Sequence, residues 1–435
     1  MCPSFMVTHE ERHTTRGRAH HLWEMLNGNV IANGWRDDNV KDALDLCLSC
    51  KGCKGDCPVN VDTTYKAEFL SHYWEGRLRP RHAYAFGLVD QWSRLASFAP
   101  GLVNLVTQTP GLSAIPKVAA GMSLERRIPT FAPQTFKAWF RNRAIQNQGK
   151  PKVILWADTF NNFFFPETAQ AAVEVLESFG FQVQVPMQHL CCGRPLYDYG
   201  FLDRAKVYLT KVLDVLEPDI AARTPVVVLE PSCCSVFRDE LNGLMPGSER
   251  AHALMENTFL FSEFVAKHVD GQTPQLRRKA IVQSHCHHKA IMRLDGEKAM
   301  LKKMGLDFQL LNSGCCGMAG SFGFEKDKYP VSVAIGERTL IPAVRSAGLS
   351  TIVMANGFSC REQISQQTGR HALHLAEVVQ MAQQNGSRRT AFMYPESDLV
   401  RRREAALKRS RWQTLATLGG IAFGGVLFRK FLRSR

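Results

Sequence analysis

Short apolar runs alternate with amphipathic stretches through the middle of this 435-residue chain. Runs such as 225–229 (PVVVL) and 279–283 (KAIVQ) are rich in β-branched residues and stop shortly before Cys, Pro or Gly, which is typical of buried strands. Between such runs, residues 167–180 and 296–305 repeat apolar side chains at helical spacing. This alternation predicts parallel βαβ units, whose ligands gather at the carboxyl ends of the strands.

The same pattern occurs twice, so the chain contains an internal repeat. The first copy reads KVILWAD at 152–158, FQVQVPMQHLCCGRP at 181–195 and PVVVLEPSCC at 225–234. The second copy reads KAIVQSHC at 279–286, FQLLNSGCCGMAG at 308–320 and STIVMANGFSC at 350–360. Because matching positions lie 124 to 127 residues apart, the repeat is a duplicated domain. Gly193 and Gly317 follow the vicinal cysteines and predict tight turns that let both sulfurs face one site.

Cysteines stand at the ends of these runs and make the second copy the better candidate for a cluster or catalytic site. It offers four thiols, those of Cys286, Cys315, Cys316 and Cys360. In the first copy, Asp158 and Thr159 stand where the second has Cys286. The first copy therefore has weaker candidate ligands and is the more degenerate of the two; they are Cys191, Cys192, Cys233 and Cys234. Ordinary core cysteines are the alternative in both copies.

The thirteen cysteines as a set favour metal ligation over disulfides. Their number is odd and several are vicinal, whereas a disulfide framework is typical of short secreted chains with evenly spaced cysteines. The first twenty residues are polar and charged, unlike a secretory signal. We therefore expect a reducing, cytoplasmic environment.

A ferredoxin-type motif precedes the repeat. Its spacing, Cys47-x2-Cys50-x2-Cys53-x3-Cys57-Pro, is the one that holds a [4Fe–4S] cluster in bacterial-type ferredoxins. Three thiolates two residues apart wrap one face of the cluster, and the fourth ligand comes from farther away. Zinc knuckles, by contrast, usually come as two separated cysteine pairs. The motif predicts one [4Fe–4S] cluster, and the second copy brings the expected total to one or two.

The fourth ligand of this cluster has two candidates. Cys2-Pro3 resembles the end of a second such motif, and in two-cluster ferredoxins the last cysteine of each motif ligates the other motif's cluster. By that logic Cys2 completes the cluster of Cys47, Cys50 and Cys53. The alternative is that Cys57 closes the cluster locally and Cys2 is a free thiol.

Three histidines flank Cys286 and are the candidate catalytic groups. His285, His287 and His288 suggest a proton relay or a group that faces a quinone. A Cys/His zinc site at the same place is the alternative. In the first copy, Glu230 lies in a Glu-Pro-Ser-Cys turn and is a candidate buried acid.

The charge of the chain is concentrated at its end. The whole chain carries 54 Lys and Arg against 40 Asp and Glu, a net charge of +14. Residues 386–435 contribute +9 of this, from twelve basic and three acidic residues, so we expect no nucleic-acid binding by the body. Within the tail, fifteen uncharged residues at 414–428 lie between basic clusters and fall short of the ~20 that a spanning helix needs. A membrane-surface or short membrane-embedded anchor is predicted, with a helix docked on a partner or a disordered tail as alternatives.

These motifs together resemble a known family. Cys-Cys-Gly repeats behind a ferredoxin motif are similar to the iron–sulfur proteins that include the cysteine-rich component of heterodisulfide reductase and the iron–sulfur subunits of glycolate oxidase and anaerobic glycerol-3-phosphate dehydrogenase. The runs CPSFMVTHEERHTTRGRA (2–19) and ALDLCLSCKGCKGDCPVNVD (43–62) further resemble the C-terminal half of FAD-linked 2-hydroxy-acid dehydrogenases of the D-lactate or D-2-hydroxyglutarate type. No flavin-binding fingerprint is present in the chain. The resemblance therefore implies FAD in a partner protein, or in a missing domain if Met1 is an internal methionine of a longer or split reading frame.

The resemblance and the motifs predict five segments of α+β and α/β type. These are a helical ferredoxin-type domain (1–90), a linker (91–150), the first Cys-Cys-Gly α/β repeat (151–275), the second (276–385) and the basic tail (386–435). The predicted function is electron transfer from a flavin-dependent 2-hydroxy-acid dehydrogenase to a quinone or another acceptor, with peripheral attachment to the cytoplasmic face of the membrane. The alternatives are a heterodisulfide-reductase-like thiol/disulfide oxidoreductase, an inactive fragment of a split FAD-linked oxidase, and a non-redox zinc scaffold.

Overall fold

The computed structural model describes residues 2–56, 65–269, 271, 273–385 and 394–433, and in the last helix it describes side chains as far as Leu418. Its described part is a mixed structure of helices and two parallel sheets. Cys57, one of the candidate cluster ligands, lies outside the described residues.

The N-terminal region is helical. Its helices are α1 (Phe5–Thr8), α2 (Thr15–Asn27), α3 (Asp38–Asp45), α4 (Gly52–Asp56), α5 (Tyr65–Tyr73) and α6 (Arg81–Gly87). The Thr14 side chain caps the start of α2, and Asp37 caps α3 by accepting hydrogen bonds from the amides of Asn39 and Val40. Apolar side chains of α2, α3 and α5 form a small core of their own, and the cysteine loop leaves from the end of α3.

The region predicted as a linker folds into short helices. They are α7 (Val89–Ala96), α8 (Pro100–Gln108), α9 (Ala114–Ala120) and α10 (Phe136–Arg141). Helix α10 packs on the first sheet domain through Phe136, which is fully buried in the central core.

Two parallel sheets follow, and each has the strands of one repeat copy. The first has the order β2-β1-β3-β4, from β1 (Lys152–Trp156), β2 (Gln182–Gln184), β3 (Val226–Val228) and β4 (Thr258–Leu260). The second has the order β6-β5-β7, from β5 (Lys279–Gln283), β6 (Asp307–Leu310) and β7 (Ile352–Ala355). Ile154 pairs with Val226 and Ile281 with Val353, so the register of the two sheets agrees at an offset of 127 residues.

Helices cover the sheets, as parallel strands require. Those of the first copy are α11 (Thr159–Phe163), α12 (Pro166–Ser178), α13 (Arg194–Asp198), α14 (Leu202–Ala221), α15 (Pro231–Ser235), α16 (Leu241–Leu244), α17 (Glu249–Asn257) and α18 (Phe261–His268). Those of the second copy are α19 (Asp295–Lys303), α20 (Tyr329–Glu337), α21 (Leu340–Ser346), α22 (Phe358–Thr368) and α23 (Leu375–Asn385).

The two copies share one core in a crosswise arrangement. Helix α12 of the first copy packs on α23 of the second, and α18 of the first packs on α19 of the second. Matching side chains cap α18 and α23, since the amides of Leu260 and His374 each donate to a glutamate three residues on at 2.8 Å. The copies are therefore related in structure as well as in sequence.

The tail forms one long helix, α24 (Ser397–Arg433), whose first half rests on the body. Arg403 lies over the Phe165 ring at 3.9 Å from its centroid and donates a hydrogen bond to the carbonyl of Phe164. Among the described residues, no helix is both long and apolar enough to cross a membrane.

Candidate iron–sulfur site

The four cysteines of the second copy converge at the carboxyl end of its sheet. Cys286 follows the central strand β5, Cys315 and Cys316 follow β6, and Cys360 lies in the first turn of α22 after β7. Cys315, Cys316 and Cys360 are buried and Cys286 is partly exposed. Gly317, with φ of +88°, makes the predicted tight turn after the cysteine pair.

These four thiols contact one another in a chain. The Cys315 thiol donates hydrogen bonds to Cys286 and to Cys316, and Cys316 also accepts a hydrogen bond from Cys360. Because Cys286 and Cys316 accept these bonds, their pKa values are lowered, whereas the pKa values of the donors Cys315 and Cys360 are raised. A buried group of four thiols is the donor set that an iron–sulfur cluster takes.

The three histidines next to Cys286 are all buried, so none of them is placed at the surface. His285 faces the thiols: burial opposes its charge, but the neighbouring Cys286 raises its pKa to about 9. The ring of His287 lies 2.9 Å from the carbonyl oxygen of Ser49, in the ferredoxin-type loop. Burial lowers the pKa of His288 to about 3, and its ring lies 3.6 Å from the Glu297 carboxylate.

The ferredoxin-type loop docks directly on this site. Ser49 and Lys51 in the loop have positive φ angles of 48° and 58°, which turn the chain sharply around Cys50. Burial and the nearby Cys286 thiol, followed by Cys47 and Cys2, raise the pKa of Cys50 well above its ordinary value. The two predicted cysteine sets are thus neighbours in space.

A buried ionic network holds the loop in place. Lys51 is only 2% exposed and pairs with Asp239 and, at 2.9 Å, with Glu240. Arg194 also pairs with Glu240 and donates to the carbonyl of Ser49 at 3.3 Å. Arg194, Asp239 and Glu240 belong to the first copy, so the loop is anchored to the first copy and faces the cysteines of the second.

Cys2 lies with the ferredoxin-type cysteines. Its sulfur is 3.0 Å from a guanidinium nitrogen of Arg18, which also interacts electrostatically with Cys47 and Cys50. Burial raises the pKa of Cys2, but the Arg18 charge and the hydrogen bonds from Ser4, Arg18 and the Phe5 amide together lower the net value. Cys53 lies in α4, which packs on the turn after His287.

The first copy brings three cysteines together at the matching sheet edge. Cys192 and Cys233 have sulfurs 3.1 Å apart, and Cys191 is hydrogen-bonded to Cys192. Thr159, at the place of Cys286, has its hydroxyl 3.6 Å from the Cys191 sulfur. Cys234 is buried in the same apolar core as Cys192 and Cys233, but the charges that act on it are those of Arg238 and Glu263, and burial raises its pKa to about 12.

A buried carboxylate lies between the two sets of cysteines. Glu230, predicted as a buried acid, is 1% exposed and accepts a hydrogen bond from the Phe358 amide at the start of α22, at 2.7 Å. Its charge acts on Cys233 in the first copy and on His285 and Cys360 in the second. Burial, with the help of Glu230, raises the pKa of Asp158 to about 6.

Sequence reasoning did not identify the charged residues around the cysteine loop. Arg18, Arg194 and Glu240 are distant in sequence from the cysteine motif. Lys51 stands inside the cysteine motif, which was the one available signal.

Within the described ranges, no group of three His, Cys, Asp or Glu side chains is arranged to hold a single metal ion.

Comparisons with known proteins match two segments of this chain to domain families. Residues 1–62 match the model of a 4Fe-4S dicluster domain, which contains the ferredoxin-type cysteines and Cys2. Residues 158–238 match the model of a cysteine-rich domain, which corresponds to the first copy. The fold and the thiol sets therefore define an iron–sulfur protein with an electron-transfer role.

The relatives agree with the resemblance predicted from the sequence. D-2-hydroxyglutarate dehydrogenase of Pseudomonas putida is 26% identical over 422 residues, which cover 87% of this chain and 41% of the relative. One of the subunits of anaerobic glycerol-3-phosphate dehydrogenase of Escherichia coli is 28% identical over 284 residues, 64% of this chain and 70% of the relative. Lactate utilization protein A of Bacillus subtilis is 24% identical over 242 residues, 52% of this chain and 98% of the relative. The chain thus spans about two fifths of the length of the D-2-hydroxyglutarate dehydrogenases that it matches, and these relatives match the resemblance predicted from the sequence.

Proposed function

We propose that this chain relays electrons from a flavin-dependent 2-hydroxy-acid dehydrogenase to a quinone or another acceptor. One observation carries the proposal: Cys50 of the ferredoxin-type loop and Cys286 of the second copy pack against the same buried cluster and interact electrostatically, so two sets of cluster-type ligands are neighbours. Side-by-side redox centres are what an electron relay requires, and thiolate ligands tune such centres without themselves acting as nucleophiles.

The first proposed centre uses Cys47, Cys50 and Cys53 with Cys2 as the fourth ligand. Arg18 supports this choice because its guanidinium contacts the Cys2 sulfur and also acts on Cys47 and Cys50. A buried cation beside thiolates stabilises their negative charge, and a buried ligand set with a net negative charge needs such compensation. A [4Fe–4S] cluster bound here supplies one-electron chemistry.

The second proposed centre uses Cys286, Cys315, Cys316 and Cys360. His285 is held beside these thiols and has a pKa of about 9, so it carries a proton at lower pH and offsets part of their negative charge. His287 connects this centre to the loop of the first through the Ser49 carbonyl. The three histidines therefore act in this proposal as positioning and charge-balancing groups.

The flavin and the substrate belong elsewhere in the proposal. The matched relatives named D-2-hydroxyglutarate dehydrogenase are more than twice as long as the aligned part. We infer that oxidation of the 2-hydroxy acid takes place on an FAD-containing protein or domain, and that this chain receives the electrons. A quinone acceptor would place the protein at the cytoplasmic face of a membrane, and the basic tail supports peripheral attachment there.

Iron and acid-labile sulfide per chain, measured with the visible spectrum after anaerobic purification, test the two centres. We expect about eight iron and eight sulfide, and a loss of about four of each in Cys50→Ser and in Cys315→Ser. Cys234→Ser is the matched control, because Cys234 is also buried but interacts with the charges of Arg238 and Glu263 and not with the other thiols that the structure describes.

The two variants also separate the steps of the relay. Cys315→Ser should leave flavin reduction by the partner intact and abolish electron output to the acceptor. An unchanged iron content and spectrum in Cys50→Ser would contradict the first centre, and retained quinone reduction in Cys315→Ser would contradict the second.

A further inference from the structure

Helix α7 has an inverted polarity. Asp90 and Ser93 are buried on its inner side, whereas Trp92 and Leu95 are exposed on its outer side. Asp90 has inward partners, since its carboxylate lies 2.8 Å from the ring of His189. A surface helix normally turns its apolar side chains to the core, so this arrangement indicates that the outer side does not face water alone.

Helix α9 shows the same inversion. Lys117 is buried, and its ammonium group donates to the carbonyl of Leu124 at 3.0 Å. On the outer side Ile115 is 67% exposed and Val118 is 55% exposed. In the chain between α7 and α9, Phe98 is 80% exposed and Leu102 of α8 is also exposed. We call Trp92, Leu95, Phe98, Leu102, Ile115 and Val118 the outer apolar surface.

Helix α24 contacts α8 near the midpoint of α24. A Cβ atom on Gly101 of α8 would lie 1.9 Å from the Thr414 hydroxyl and 3.3 Å from the Ser410 hydroxyl, so only glycine allows this approach. Thr414 is the first of the fifteen uncharged residues 414–428. The contact therefore places the start of this uncharged stretch on α8, one residue along the chain from the exposed Leu102.

The charge of α24 distinguishes a lipid surface from a protein as the occupant. Residues 397–433 contain nine Lys and Arg against two Asp and Glu. The exposed Lys408, Arg409 and Arg411 precede Trp412, which is 73% exposed. Basic side chains next to exposed tryptophan and aliphatic side chains are typical of helices that lie in the interface of an anionic bilayer.

We propose that the outer apolar surface and α24 together form an interfacial docking surface for an anionic lipid bilayer. The apolar side chains enter below the headgroups, and Lys408, Arg409 and Arg411 bind the phosphates. At ~1.5 Å per residue the uncharged stretch of α24 is about 22 Å long, shorter than the ~30 Å hydrocarbon core, so it lies at the interface. The inference extends the proposed tail attachment to the body of the protein and does not depend on electron transfer.

Vesicle cosedimentation of the intact, cluster-loaded protein tests the surface. The vesicles are phosphatidylcholine with and without about 30% phosphatidylglycerol. We expect binding to the anionic vesicles, and at least about tenfold weaker partitioning for Ile115→Glu/Val118→Glu. The matched control is Leu26→Glu/Leu349→Glu, which adds the same charge at exposed apolar positions outside this surface and should bind as the wild type does.

A second variant separates the contribution of the basic side chains from that of the apolar side chains. Lys408→Glu/Arg409→Glu/Arg411→Glu should remove the preference for anionic vesicles and the salt dependence of binding. Wild-type binding by Ile115→Glu/Val118→Glu would overturn the composite surface. If the wild type does not bind vesicles, and the same pair of substitutions abolishes its association with an FAD-containing protein, the surface would instead be a protein interface.

The readouts keep this proposal apart from the proposed function. All variants should retain the iron and sulfide content of the wild type and its electron transfer to a soluble one-electron acceptor, because the altered side chains are exposed. Loss of vesicle binding with intact clusters reports on the docking surface. A wild-type protein without clusters would instead contradict the proposed relay.

Discussion

The two copies of the repeat have the same scaffold and different chemistry at the same sheet edge. Their central strands both start at a lysine, their registers agree and their last helices carry the same glutamate cap. At the end of the central strand, however, the first copy has Thr159 and the second has Cys286. The scaffold thus persists through buried packing, whereas a few residues at the strand ends decide which ligands are presented.

A second difference lies at the end of the third strand. The first copy has Glu230 there, and the second has Gly357. A Cβ on Gly357 would lie 2.3 Å from the ring of His285, so glycine makes room for the histidine that faces the four thiols. Glu230 instead reaches across to the second copy, where it accepts from the Phe358 amide. The comparison suggests one copy built for a thiolate-bound cluster and one that supports it.

Thr159→Cys should have the largest effect on this comparison. The new thiol would lie next to Cys191, where the hydroxyl is now 3.6 Å from the sulfur, and would complete a set of four. We expect up to about four additional iron and four sulfide per chain, measured by metal analysis after anaerobic reconstitution. Thr159→Ser is the control and should add none. If Cys192→Ser in the wild-type background already loses iron, the first copy holds a cluster without Thr159 and the contrast fails.

Lys51→Met tests how the ferredoxin-type loop is shared between the copies. The substitution removes the buried partner of Asp239 and Glu240, so we expect destabilisation by about 3 kcal/mol, seen as a lower thermal midpoint. His287→Leu removes the contact with the second copy and should cost about 1 kcal/mol. Equal effects of the two substitutions would mean that the loop is not anchored mainly by the first copy.

Glu297→Gln tests a smaller difference, at the third residue of the matching helices α12 and α19. The first copy has the neutral Thr168 there, and the second has Glu297, whose pKa burial raises to about 7 from 4.5. Between pH 4.5 and about pH 7 the folded state keeps a proton that the unfolded state loses. The free energy of unfolding therefore falls as the pH rises through this range, and the loss is complete above about pH 7.

The variant should therefore gain stability relative to the wild type between about pH 5 and pH 8, by on the order of 2 kcal/mol. Thermal midpoints of both proteins at the two pH values measure the change. Glu249→Gln, at an exposed position, is the control and should show no such dependence. A constant difference between Glu297→Gln and the wild type across this range would contradict the raised pKa.

Local sequence patterns predicted much of the fold and of the thiol sets. The residues predicted as helices, 167–180 and 296–305, correspond to α12 (Pro166–Ser178) and α19 (Asp295–Lys303). Gly193, with φ of +76°, makes the turn predicted after the first vicinal pair, as Gly317 does after the second. Such features depend on neighbouring residues, so periodicity and residue type are enough to identify them. Cys234 was the exception within the cysteine sets, because its neighbour Cys233 contacts Cys192 whereas the charges that act on Cys234 are those of Arg238 and Glu263.

The sequence by itself determined the repeat, the parallel strands, the cysteines at their ends and the basic character of the tail. Only the tertiary structure brought Cys50 to Cys286, placed Arg18 beside Cys2, buried Lys51 against the first copy and turned the apolar sides of α7 and α9 outward. The physical reason is that periodicity tells which side chains share a face of one element. Which faces then meet depends on packing between residues that are far apart in the chain, and no local pattern records that pairing.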